Sequence, residues 1–251
     1  MATLRTALPG TGYSAKSDQD EPRPVRDNVD DDASRSHRQL IGWIGLLLPI
    51  LLWAFAGLRP NDIASAWTPL RSISAYFYSS AAFAFVGLLA ALSLYLYAYR
   101  GFKNRWQMWD KRVARTAATA ALFVAAFPTN APSDALRVPW WQDWFAFAHY
   151  SAATLLFASF AIFSLFLFTR RDPAMPDAPD KAWRNGVYYF SGVAILTSMA
   201  AAALLGANNR PIFWPESTAL VAFATSWLVK GAVHKTIAET ARSLRGDAAP
   251  Q

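Results

Sequence analysis

Apolar positions in this chain gather into six runs, Leu40 to Leu58, Ala81 to Tyr99, Thr116 to Phe127, Phe145 to Thr169, Val187 to Leu205 and Ser217 to Val233. Four of them reach the roughly 19 or 20 residues that carry an α-helix across a hydrocarbon core. The third run is Ala-rich and short, but helical spacing extends it back through Trp106, Trp109 and Val113 to a helix over 109–127, closed by Pro128. The sixth extends back to Glu216, directly behind Pro215. The predicted architecture is an all-α polytopic bundle of six transmembrane helices at 40–58, 81–99, 109–127, 145–169, 187–205 and 216–233. Pro49 interrupts the first of these and predicts a bend, because proline removes a donor and crowds the preceding turn.

The gaps between the runs differ in charge. Arg100, Lys103, Arg105, Lys111, Arg112 and Arg115 fall in the second gap, and Arg170, Arg171, Lys181 and Arg184 in the fourth. The other gaps hold only Arg59 and Arg71, then Arg137, then Arg210. Cations accumulate on the cytoplasmic side of membrane proteins, so both termini and the second and fourth gaps are predicted to face the cytoplasm. The expected location is the inner (plasma) membrane, with several passes. Residues 1–39, rich in Asp, Arg, Ser and Pro, carry almost nothing apolar and are expected to form a disordered cytoplasmic tail. The run that follows begins too late for a cleaved signal peptide and reads as a retained anchor. Residues 236–251 form the second cytoplasmic tail, and the gap from Asp172 to Asp180 reads as a flexible loop.

With 54% hydrophobic residues in 251, the stretch from 40 to 235 leaves no room for a soluble catalytic domain. The formal charge of +7 follows from topology and from attraction to anionic lipid heads, so nucleic acid is not an expected partner and membrane lipids are. A second copy of the chain is a further candidate partner. There is no Cys, which removes disulfides, thiolate metal sites and Cys nucleophiles. His37 and His234 are assigned to the cytoplasmic side and His149 to the outer side, so no metal site and no cofactor is expected. Lys230, near the cytoplasmic end of the sixth helix, is expected to snorkel to the interface.

The candidate chemistry lies on the outer face. His149 is about one turn into the fourth helix, and an intramembrane ionisable group needs a partner or water. Its bland reading is a hydrogen bond that ties neighbouring helices. Ser72, Ser74, Ser79 and Ser80 surround Tyr76 and Tyr78 at the entry to the second helix, where the hydroxyls either cap the helix or line a polar pocket. Glu216 opens the sixth helix, favoured there by the macrodipole, and could pair with Arg210. Asp143 precedes His149. Convergence of these groups would give a ligand pocket of Ser74, Tyr76, His149, Arg210 and Glu216. It would equally allow a Ser74 nucleophile with a His149 base oriented by Asp143 or Glu216. No Gly-x-Ser-x-Gly elbow supports the catalytic version, and the spans lack the rows of charge expected of a conduction pathway.

Ser72-Ile73-Ser74-Ala75-Tyr76, Gly87, Phe127-Pro128-Thr129 and His149-Tyr150-Ser151-Ala152-Ala153 with Phe157 occur in that order, followed by Arg210-Pro211-Ile212-Phe213-Trp214 and Ser226-Trp227-Leu228-Val229-Lys230. Together they resemble a bacterial six-helix membrane family of unknown function. More distantly they are similar to the DRAM-type family, which includes autophagy modulators and Golgi proteins linked to lipid remodelling of GPI anchors. The resemblance implies an outer-facing polar cluster of Ser74, Tyr76, Pro128 and His149 and a lipid-related role, with no mechanism to carry over. The expected function is binding of a lipid or small amphiphile, or organisation of the membrane around the protein. A lipid-modifying hydrolase or transferase using Ser74 and His149, and a small-solute transporter, are the alternatives.

Overall fold

Long runs of Leu, Ala, Phe and Val interrupted by isolated Ser and Thr satisfy their backbone internally as helix, and the described residues do so six times. The computed structural model describes residues 25–61, 66–101, 106–131, 138–170 and 180–233. The helices are α1 (Val25–Leu58), α2 (Ala82–Ala98), α3 (Gln107–Ala126), α4 (Trp144–Ile162), α5 (Lys181–Ala207) and α6 (Phe213–Lys230). A 3₁₀ turn, Ser74–Tyr78, precedes α2, and a π-helical stretch, Phe163–Leu167, continues α4. Among the described residues there is no strand. Among the described residues, three helices are long and apolar enough to cross a membrane: Ala33–Leu58, Trp144–Leu167 and Lys181–Ala207. Ala82–Ala98 is a shorter apolar helix. Large apolar side chains such as Leu94, Phe147, Phe190 and Leu204 stand 69 to 76% exposed on the outside of the bundle, as lipid-facing residues do.

The helices form a ring in sequence order, each packed on the next, and α6 closes it against α1. Closure depends on small residues. A Cβ at Gly42 would lie 2.7 Å from Leu228 Cγ and 3.0 Å from the Leu228 backbone nitrogen, and one at Gly45 would lie 2.6 Å from Phe223 Cδ1. Absent side chains let the two backbones approach, the usual device where lipid gives no hydrophobic drive to association. Gly42→Val should therefore force α1 and α6 apart and lower stability by about 1–3 kcal/mol, the range for overpacking. A melting temperature within a degree of wild type would show that α6 yields instead.

Several boundaries depart from expectation. The segment expected to be disordered up to residue 39 is helical from Val25, and polar side chains near residue 39 find partners. His37 Nε2 donates to Tyr95 O at 2.7 Å, Arg38 Nη1 to Ser34 Oγ at 2.6 Å, and Gln39 Nε2 to Gly231 O at 2.9 Å. The His37 and Gln39 bonds tie the polar end of α1 to the ends of α2 and α6, and the Arg38 bond stays within α1. Pro49 lies inside α1 without ending it. Helix α6 starts at Phe213, so Pro215 and Glu216 both belong to its first turn and Glu216 does not open it. The 172–180 loop up to residue 179, His234, the 236–251 tail and residues 1–24 lie outside the described residues.

Serines placed along the spans divide by role. Ser93 Oγ donates across to Ala118 O at 2.8 Å and Ser164 Oγ to Ser226 Oγ at 3.0 Å. Ser159, Thr197 and Thr225 bond carbonyls one turn back in their own helices, which neutralises them without joining helices.

Candidate functional site

The segment between α1 and α2 crosses the end of the bundle and is fastened there at several points. Trp67 turns the chain with φ 62, and its carbonyl accepts from Trp53 Nε1 at 3.1 Å. Ser72 Oγ accepts from Ala75 N at 3.0 Å and so caps the 3₁₀ turn. Ser79 Oγ donates to Tyr76 O at 2.9 Å and accepts from Ala81 N at 3.1 Å, carrying the turn into α2. Capping thus accounts for two of the four serines around Tyr76. A third, Ser80, donates to Arg59 O at 2.5 Å.

The fourth, Ser74, meets His149. His149 is 1% exposed, with Nδ1 2.6 Å from Phe127 O and Nε2 2.8 Å from Ser74 Oγ. A carbonyl can only accept, so Nδ1 carries the hydrogen and the neutral ring presents Nε2 to the Ser74 hydroxyl. The ring therefore joins three pieces of chain: the C-terminus of α3, the first turns of α4 and the 3₁₀ turn. Next to Ser74, the backbone nitrogen of Ile73 donates to Glu216 Oε2 at 2.6 Å. Arg71 completes the attachment. Its carbonyl accepts from Ile212 N at 2.6 Å and Phe213 N at 3.0 Å, and its guanidinium donates to Asn209 O and, at 2.8 Å, to Asn209 Oδ1. Tyr78 OH donates to Thr129 O at 2.6 Å.

Tyr76 is fully buried in this turn, 6.0 Å from the Phe213 ring, and its hydroxyl accepts from Leu70 N at 3.3 Å. Burial pushes its phenol above the ordinary tyrosine range, against a smaller opposing effect of the Leu70 N–H, so it stays neutral.

The expected convergence is selective. Ser74, Tyr76, His149 and Glu216 gather on the 72–76 segment. Asp143 is exposed at the N-terminal end of α4, and the orienting position on His149 that it or Glu216 was expected to fill is held by the Phe127 carbonyl. Arg210 is also exposed and does not pair with Glu216, whose carboxyl is engaged by Ile73 N. The groups that reasoning from side chains missed are Arg71 and the backbone atoms of Ile73 and Phe127. Asn209, after the last turn of α5, takes φ 53, a conformation that Asn tolerates better than most side chains.

Beside Glu216 lies a cavity of about 460 Å³ between α4, α5 and α6. Its walls are largely Ala, Gly, Phe and Met, with Tyr150, Thr154, Ser198 and Glu216 as the polar exceptions. No family model, curated protein or solved structure matches this chain. Ser74, Tyr76, His149 and Arg210 do not line the cavity, so of the five residues assigned to a ligand pocket only Glu216 reaches it. Among the described residues no group of three His, Cys, Asp or Glu is placed to hold a metal ion.

Chemically, the Ser74–His149 contact has the length of a nucleophile–base pair, but its surroundings do not complete one. Ser74 is 9% exposed. The backbone N–H groups flanking it are already used: Ile73 N by Glu216, Ala75 N by Ser72 and Tyr76 N by Ile73 O at 3.3 Å. None of these three is free to stabilise an oxyanion.

Proposed function

We propose that this is a six-span inner-membrane protein, with both termini in the cytoplasm, that binds a lipid or small amphiphile in the cleft between α4, α5 and α6. The observation that carries this reading is the cavity of about 460 Å³, apolar along most of its wall and polar at Glu216 and Tyr150. That combination suits an acyl chain with a small head bearing hydrogen-bond donors, since a carboxylate accepts only. The exposed apolar side chains and the three long apolar helices support the membrane setting, and the distribution of Arg and Lys supports the orientation. In this reading Ser74 and His149 act as a tie that holds the 72–76 segment over the bundle end, and Glu216 belongs both to that tie and to the cavity.

A filling substitution tests the proposal. Ala202 and Ala219 face the cavity from α5 and α6. Ala202→Trp should leave the protein folded and reduce co-purifying or added lipid, read by native mass spectrometry, by about tenfold, equivalent to about 1.4 kcal/mol. Unchanged retention in a variant that still elutes as a folded species would rule out this cleft.

The Ser74–His149 contact favours a second reading, a lipid-directed hydrolase or transferase in which the pair opens to substrate. Product formed from a fluorogenic acyl ester and abolished in Ser74→Ala would support it. Wild-type and Ser74→Ala protein giving the same background would exclude it.

A further inference from the structure

At the end of the bundle opposite His149, four helices and the residues directly after α2 and α4 contribute to a second polar cluster. Trp227 of α6 is fully buried, Tyr188 of α5 is 1% exposed and Tyr99, just after α2, is 5% exposed. The indole stands edge-on to Tyr99 at 5.0 Å, to Phe163 at 5.0 Å and to Phe168 at 5.2 Å, and Phe168 lies 5.5 Å from Tyr188. Among the described residues, Tyr99 OH, Tyr188 OH and Trp227 Nε1 have no hydrogen-bond partner. Buried donors are costly when unpaired, and three around one set of touching rings need an acceptor that the described residues do not supply.

Positive charge is directed to the same place. Lys230 does not snorkel outward: its Nζ lies 5.2 Å from the Phe168 ring centre and 5.8 Å from that of Tyr188, and 3.4 Å from Phe168 O. Arg38 of α1, 9% exposed, is near enough to act electrostatically on both Tyr99 and Tyr188. Asp110 of α3 is the acid beside Tyr99. It is seated against Gly101, whose φ of 72 and lack of a side chain permit the approach, since a Cβ there would fall 2.7 Å from Asp110 Cβ. Lys181 and Arg184 of α5 add positive charge around Lys230, and Asp180, just before α5, is a second acid near Tyr188. The π-helical stretch Phe163–Leu167, a widened turn of the kind found at functional sites, places Phe163 and Phe168 in the cluster.

We propose that this cluster binds a phosphate group, with Trp227 Nε1 and the Tyr99 and Tyr188 hydroxyls donating to its oxygens and Lys230 and Arg38 supplying the charge. A single water accepts two hydrogen bonds and leaves the third donor unmet, whereas a phosphate offers several anionic oxygens at once. The position at the bundle end suits either the headgroup of an acidic phospholipid or free phosphate from solution. The site is separate from the α4–α5–α6 cleft and stands without it.

The test uses the full-length protein, delipidated in a neutral detergent, and reads the melting temperature with added phosphatidic acid, diacylglycerol or inorganic phosphate. Phosphatidic acid should raise it by at least about 4 °C, and diacylglycerol should not. Trp227→Phe with Tyr188→Phe keeps the rings and removes two donors, and should abolish most of that rise; if the pair does not fold, Tyr188→Phe alone should reduce it. A rise with inorganic phosphate alone supports the site with a soluble occupant. An equal response to diacylglycerol, no response in wild type, or a full response in the folded variants overturns the proposal and leaves the donors to water.

Discussion

Replacing His149 with Ala is expected to lower stability by about 2 kcal/mol, with the melting temperature falling by about 4–8 °C for a protein of this size. The imidazole is the common partner of Phe127 O at 2.6 Å and Ser74 Oγ at 2.8 Å, so its removal breaks two bonds and leaves a cavity. Interhelical hydrogen bonds in membranes average about 0.6 kcal/mol and reach about 1.7, so two of them plus lost ring packing give the stated figure. Ser74→Ala alone should cost less, because it leaves the Phe127 bond intact. A double-mutant cycle between the two should return a coupling energy of about 0.6–1.7 kcal/mol. Additive losses would mean that the ring and the hydroxyl are neighbours without an energetic bond. Hydrogen exchange gives the loop its own readout: the amides of Ala75 and Tyr76 should exchange faster in His149→Ala while those in the middle of α2 do not change.

The predicted bundle and the observed one agree where the signal is carried by side chains in bulk. Apolar runs located α2, α4 and α5, and helical spacing through Trp109 and Val113 recovered α3 although only its second half is apolar. The same signal fails at the start of α1, where Arg38, His37 and Gln39 look solvated in sequence but bind Ser34, Tyr95 O and Gly231 O. Shared membrane depth was enough to group Ser74, Tyr76, His149 and Glu216. The linkage among them was not legible, because two of its partners are backbone atoms, Phe127 O and Ile73 N, and a backbone atom has no letter of its own. The cavity was invisible for a related reason. Its walls are made by what Ala202, Ala203, Gly206 and Ala219 lack, and small residues in a membrane helix are read as close packing whether or not a neighbour fills the space. Lys230 was misread because snorkelling is the default for a lysine near a helix end. The aromatic surface of Phe168 and Tyr188, together with the Phe168 carbonyl, turns it inward instead.

Glu216 separates support of the loop from binding in the cleft, since one carboxyl serves both. Its Oε2 accepts from Ile73 N at 2.6 Å, and the same side chain forms part of the cavity wall. A buried donor left without its acceptor costs about 1–3 kcal/mol, so Glu216→Ala should destabilise by about 2 kcal/mol and free the 72–76 segment, seen as faster exchange at Ile73. Glu216→Gln keeps an oxygen of the same reach for Ile73 and should restore most of that loss. It does not keep the carboxylate facing the cavity. A bound amphiphile whose head donates to Glu216 should therefore be retained about tenfold less well by the Gln variant, at nearly wild-type melting temperature. Stability and retention falling together in both variants would point to a single structural role. Retention preserved in Glu216→Gln would assign the head to Tyr150 or Thr154, the polar groups that α4 contributes to the same wall.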